Sequence, residues 1–326
     1  MKNKIPKVVV IGGGTGVFNI LTALKKYPLD LAAIVTIADD GGSSGVLRED
    51  FGILPPGDIR RALVALTPKS STKIIELFNY RFKNGSGLKG HSFGNLFLTA
   101  LQKINGDFNK AIKEAGEILN IKGRVIPVSL KECKLVALME DGSFVFGETN
   151  IDIPKDDKKN LSIKKLFLSE KVNANPDALK AILSADYIVV GPGDLYTSII
   201  PNFLVNKVKQ SFKKSKAKKI FVCNIMTKFS ETHNFKAIDF LKTLERYLYK
   251  DCIDCFIVNN YRSIPDNVLK KYKREKKSVV KFVKGDFKEH FKTKVIFKHI
   301  AKTNNLLRHD PIKIGRLIYQ DIILGK

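Results

Sequence analysis

Tryptophan is absent from the 326 residues, methionine occurs three times and cysteine four times. Four cysteines (Cys133, Cys223, Cys252, Cys255) are too few for a disulfide scaffold and favour a reducing compartment. Cys252-x-x-Cys255 has no second pair to complete a zinc ribbon, and it leads into a strand, where a thioredoxin-type motif would start a helix. Buried apolar thiols are the expectation. No run of 18 apolar residues occurs, so no membrane-spanning helix is expected. Met1 to Val10 lacks the apolar stretch and cleavage site of a signal peptide, and a cytoplasmic location is expected. Internal repeats and low-complexity linkers are missing too, which argues for one continuous domain over residues 1–326. Acidic residues are scarce: 32 Asp and Glu stand against 57 Lys and Arg, a net charge of +25. Such a field attracts anions. Most of the excess is lysine, as the codon bias of an AT-rich genome would produce. The runs Lys213–Lys219 and Lys270–Lys277 read as solvated faces without a nucleic-acid motif, so nucleic acid is not the expected partner.

What is present is an alternation of strands and helices. Lys7–Ile11 reads as a buried strand, Val17–Lys26 as an amphipathic helix and Leu31–Ala38 as a second strand. This unit implies a parallel sheet. Short β-like runs at Arg124–Val128, Cys133–Met139 and Ser143–Gly147, with a turn at Glu140-Asp141-Gly142, suggest a small antiparallel insert over about 124–171, its Lys155–Lys165 part a loop or edge. The alternation resumes with strands expected at Tyr187–Val190, Lys219–Cys223 and Cys255–Val258, and weaker ones at Val279–Val283 and Lys294–Phe297. The expected fold is α/β and Rossmann-like: a mostly parallel sheet, helices on both faces and a small antiparallel insert.

The polar and glycine clusters follow strands directly. In a parallel sheet they share the carboxyl edge, where open α/β folds bind ligands. Gly12, Gly13, Gly14, Thr15 and Gly16 suit phosphate cradling by bare backbone N–H groups, or else form a tight turn. They match neither G-x-G-x-x-G nor the Walker pattern. Asp39 and Asp40 end the second strand and could accept from a ribose hydroxyl or hold Mg²⁺, or could cap the turn Gly41-Gly42-Ser43-Ser44. Asp58 could join such a metal site or N-cap the helix Ile59–Leu66. Arg60 could fork onto a phosphate or pair with Glu49 or Asp50. His91, Ser92 and Asn95 sit where a glycine-rich loop enters a helix. Gly191, Pro192, Gly193 and Asp194, together with Asn224 and Asn259, complete the edge. Tyr272 could stack on a base and Arg308 could bind a phosphate.

Together the stretches VVVIGGGTG (8–16), ADDGGSSGVLRED (38–50), GILPPGDIRRALVAL (52–66), GHSFGNLFL (90–98), GPGDLYTSIIPNFLV (191–205), CNIMT (223–227) and RHD (308–310) resemble the YvcK/CofD-like family, most closely its YvcK or gluconeogenesis-factor branch. The resemblance implies a nucleotide-sugar-binding regulatory protein, with a ligand of the UDP-N-acetylglucosamine kind. It implies a role in cell shape, morphogenesis and envelope synthesis on gluconeogenic carbon sources, through protein partners and with room for a homodimer. The other branch implies a Mg²⁺-dependent phospholactate or phosphoenolpyruvate transferase of deazaflavin coenzyme synthesis. By carry-over, Gly12–Gly16 and Gly191–Ser198 would hold phosphates, Asp40 and Asp58 a metal, and Tyr272 and Arg308 the base or sugar; Asn224 and Thr227 lie in the matched CNIMT stretch. Two stretches depart from the branch's usual pattern: Asp194 replaces a Ser, and Lys228-Phe229-Ser230 replaces Gln-Pro-Gly.

Overall fold

Seven apolar segments become the strands of one parallel sheet. The computed structural model describes residues 5–154, 161–261, 264–290, 292–303 and 306–325. In chain order its strands are β1 (Lys7–Gly12), β2 (Asp30–Val35), β3 (Arg124–Pro127), β4 (Leu135–Met139), β5 (Phe144–Phe146) and β6 (Ile163–Leu168). They continue with β7 (Tyr187–Val190), β8 (Lys218–Val222), β9 (Cys255–Asn259), β10 (Lys294–Lys298), β11 (Ala301–Thr303) and β12 (Leu307–His309). The main sheet has the order β10-β9-β8-β7-β1-β2-β3, and all its pairs are parallel. Strand order therefore reverses between β1 and β7, and the crevice beyond their carboxyl ends is the natural ligand site of such a sheet. Its central strands read as unbroken apolar runs because helices cover both faces: Val8, Val10, Ile11, Ile188, Val189 and Val190 are wholly buried.

β5-β4-β6 form the small antiparallel sheet. The insert is shorter than expected. β3 pairs parallel with β2 and belongs to the main sheet, so the insert's first strand is β4. Four residues, three of them buried, cannot declare by pattern which sheet they will join. Residues 155–160 of the expected lysine-rich loop lie outside the described residues, and 163–168 are β6. The expected strand at 279–283 is reduced to isolated bridges at Val279 and Lys281. The expected turn after Asp40 is instead a helix from Gly42 to Phe51. All four cysteines are free and buried. A second, smaller core of Ile225, Val268, Tyr272, Ala301 and Leu307 ties the β11–β12 pair and the helix Asp266–Arg274 to the loop after β8. Among the described residues no helix is long and apolar enough to cross a membrane.

Candidate functional site

A cleft of about 880 Å³ opens at the switch point, within the range of roughly 300–1,000 Å³ common for small-molecule sites. Its floor is backbone. The helix Gly14–Leu24 starts directly after β1, with Gly13 as an N-cap that offers no side-chain hydrogen bond. The loop after β7, which contains a cis Gly191–Pro192 bond, packs against that first turn. A methyl group on Gly16 would collide with the Pro192 carbonyl, so glycine is required for the two loops to meet. Asn224 Oδ1 accepts from the Gly193 N–H at 3.3 Å and fixes the second loop.

Most of the candidate residues line this cleft: Gly13–Gly16, Asp39, Gly41–Ser44, Asp58, Arg60, Asn95, Pro192–Asp194, Ser198, Asn224, Thr227, Tyr272 and Arg308. Six do not line it. Gly12 and Gly191 lie at the strand ends beneath the floor. Asp40 is spent on the insert, where its carboxylate accepts from the backbone N–H groups of Glu148 and Thr149 at 3.0 and 2.8 Å. His91 and Ser92 stand behind the wall. His91 Nδ1 lies 3.0 Å from Ser43 Oγ, and Ser92 N-caps the helix Phe93–Asn105. Asn259 is structural: its Oδ1 accepts from the N–H groups of Ile300 and Ala301 at 2.9 and 3.0 Å.

Asp58 is the second residue of the helix Gly57–Leu66, and Pro56 takes the N-cap position expected for it. Buried beside the glycine loop, it receives the Gly14 N–H and lies 3.4 Å from Arg61 Nη1. Burial first, and then the neighbouring Asp39 carboxylate, push it up to about 6. Glu148 is a cleft residue that sequence reasoning missed. The insert carries it in, and burial, together with the charges of Asp39 and Asp40, pushes it up to about 8. No local pattern marks it, because it reaches the cleft only through packing of the insert.

Arg60 makes neither of the expected ion pairs. Its Nε donates to Asn95 Oδ1 at 3.1 Å and its Nη1 to Asn79 Oδ1 at 2.7 Å. Asn95 in turn donates to Ser43 Oγ at 3.1 Å. Burial, with Arg61 and Arg81 nearby, lowers Arg60 only to about 10, so it stays charged at neutral pH. Arg60, Arg61 and Arg81 all line the cleft.

The two departures from the family pattern meet. Lys228 Nζ donates to Asp194 Oδ2 at 2.7 Å, pairs with Asp152 of the insert and lies 3.2 Å from Glu231 Oε1. Glu231 is buried and also accepts from the Tyr196 N–H and the Thr197 hydroxyl at 2.9 and 2.8 Å. One ammonium thus joins the insert, the loop after β7 and the short helix Phe229–Thr232. At the far end, the Tyr272 hydroxyl donates to the Leu307 carbonyl and accepts its N–H, at 3.2 and 3.0 Å. Tyr272 and Arg308 still line the cleft.

Known proteins are similar to this chain in sequence and in fold. The family model described as 2-phospho-L-lactate transferase CofD matches residues 8–300. A gluconeogenesis factor of Bacillus subtilis is 41% identical over 314 residues, covering 96% of this chain and 97% of that one. A gluconeogenesis factor of Halalkalibacterium halodurans is 41% identical over 322 residues, 98% of this chain and 97% of the other. The X-ray crystal structure of a Bacillus halodurans protein superposes with a TM-score of 0.91 at 40% identity, covering 97% of this chain and all of that one.

Proposed function

The chain belongs to the CofD family, in its group of gluconeogenesis factors, and from that premise we propose that it is a regulatory protein whose switch-point cleft binds a nucleotide sugar of the UDP-N-acetylglucosamine kind. The observation that carries this reading is the meeting of the two glycine loops. A helix start without a side-chain cap and a second loop in backbone contact with it suit a diphosphate, because backbone N–H groups can approach its oxygens closely. Arg60, Arg61 and Arg81 add positive charge along the same cleft. Tyr272 and Arg308 offer a ring face and a planar guanidinium to a base or sugar at its far end. In this reading ligand occupancy, rather than turnover, is the signal to cell-envelope partners and so to cell shape.

A second reading is Mg²⁺-dependent phosphoacid transfer, favoured by Asp39 and Asp58. Both carboxylates face the cleft beside the glycine loop. They suit a hard cation bridging to a diphosphate, and the pair replaces the expected Asp40–Asp58 set. Such chemistry would rest on positioning and charge stabilisation. Thermal shift with UDP-N-acetylglucosamine, UDP-glucose, GDP and GTP, each with and without Mg²⁺, separates the readings. A rise of several degrees with UDP-sugars supports the sensor. A rise confined to guanine nucleotides with Mg²⁺ supports the transferase, and no rise with any of them overturns both.

A further inference from the structure

At the sheet edge opposite the cleft, two carboxylates and an imidazole converge. Glu245 lies near the end of the helix Ala237–Tyr247, Asp251 in the turn before β9, and His290 in the segment before β10. β9 and β10 are parallel, so these residues gather at the amino ends of the strands. A strand of this length separates them from the cleft edge by about 16 Å. One ligand atom from each residue lies within 4.8 Å of the other two.

The imidazole is the telling member. The His290 side chain is only 5% exposed and that of Glu245 9%. His290 Nδ1 is 3.5 Å from Glu245 Oε1, yet it makes no hydrogen bond among the described residues, and neither does Asp251 Oδ1. Buried polar atoms left without partners are costly, and an ion is one of the few things that satisfies several at once. The backbone is set for convergence: Asp251 adopts φ +56°, and its N–H donates to Glu245 Oε1 at 2.9 Å. Four tetrahedral ligands at about 2.0–2.1 Å from Zn²⁺ lie about 3.3 Å apart, close to the 3.5 Å between the histidine nitrogen and the glutamate oxygen. Imidazole nitrogen with carboxylate oxygen is a donor set for Zn²⁺ rather than for Mg²⁺. Lys292 Nζ, 4.0 Å from Asp251 Oδ2, is the nearby cation on the rim, on a side chain 66% exposed.

We propose that Glu245, Asp251 and His290 form a structural Zn²⁺ site, with water as the fourth ligand, that clips the end of the helix Ala237–Tyr247 to the edge strand β10. The test uses the full chain, stripped with chelator, dialysed against ZnCl₂ and then against metal-free buffer. Elemental analysis should find about one retained equivalent per chain, and ZnCl₂ should raise the melting temperature by several degrees. Co²⁺ in place of zinc should give visible d–d absorption. His290→Gln should lose the retained metal and the absorption, whereas Asp58→Asn, in the cleft, should keep both. If His290→Gln does not fold, Asp251→Asn serves in its place. Failure of the wild-type chain to retain zinc overturns the proposal, as does retention that both His290→Gln and Asp251→Asn leave unchanged.

Discussion

Two acidic clusters stand at the cleft, and they differ in whether a lysine is bonded directly among the acids. Asp152, Asp194 and Glu231 surround the ammonium of Lys228 and carry their own cation. Among the described residues no lysine forms an ion pair with Asp39, Asp58 or Glu148: Asp58 faces Arg61, whose side chain is 47% exposed, and Lys228 acts on Glu148 only through its field. Burial outweighs these cations in the second cluster and pushes Asp58 and Glu148 up to about 6 and about 8; burial, with Glu231 beside it, also pushes Asp194 of the first cluster up to about 7 despite its lysine. Carboxylates in one cleft can thus be self-neutralised structure or a site waiting for a proton or a cation. The clusters differ in the lysine bonded directly within the first, not in the number of acids.

Breaking the first cluster should have the largest effect. Lys228→Met leaves acidic groups, including the fully buried Glu231 side chain, without their cation. Removing one partner of a buried ion pair costs about 3–5 kcal/mol. Urea denaturation at pH 7.5 should show a loss near the lower end, since Asp194 is partly exposed, and the loss should shrink as the pH is lowered and the acids protonate. Added Mn²⁺ should stabilise this variant more than the wild type, because the mutation opens the first cluster to a cation as the second already is. Next comes the floor that both clusters share. Gly16→Ala drives a methyl group into the Pro192 carbonyl. We expect a loss of about 2 kcal/mol in stability and no thermal shift with any nucleotide sugar.

Sharpening the contrast needs milder changes. If a cation or a proton must neutralise Asp58 before a diphosphate enters, Asp58→Asn should abolish the Mg²⁺ dependence of ligand binding, a change of about tenfold or 1.4 kcal/mol by calorimetry. In the wild type, Mg²⁺ affinity should rise as pH passes through about 6, where Asp58 loses its proton. Glu148→Gln should have the smallest effect at acid pH. The folded carboxyl titrates near 8 against an ordinary 4.5, so the folded state holds more protons between those values. The stability contributed by that proton is fully present below about pH 4.5 and is lost as pH rises through about 8. The glutamine variant should therefore match the wild type near pH 4.5 and exceed it by a margin that grows as pH rises towards 8, up to a few kcal/mol. A pH series of denaturant melts reads this directly, and a constant difference across the series would remove Glu148 from the second cluster.

Much of the cleft was legible because it follows strands. Gly12–Gly16 and Gly191–Asp194 sit at the ends of β1 and β7, and Asp39–Ser44 begin four residues past β2; in a parallel sheet those positions share an edge. The adjacent pair Asp39-Asp40 was not resolvable. Successive residues point in different directions, so one acid faces the cleft while the other caps the insert. Asn259 has the position of a site residue but spends its carbonyl oxygen on the turn after β10. Glu148 and Asp152 arrive from a segment whose strands pair only with one another, and no periodicity ties it to the cleft.

By itself, then, the chain's sequence determined the parallel sheet, the switch-point cleft and the glycine floor. Those depend on apolar runs, on glycine's lack of a Cβ and on the order in which the loops occur, and all three are local or sequential properties. Tertiary structure alone decided which acids are neutralised. Lys228 meets Asp152 across 76 residues of chain and Asp194 across 34, and Glu148 enters the cleft beside Asp39 through the packing of the insert. Burial and charge proximity act through space, and only the folded chain sets those distances.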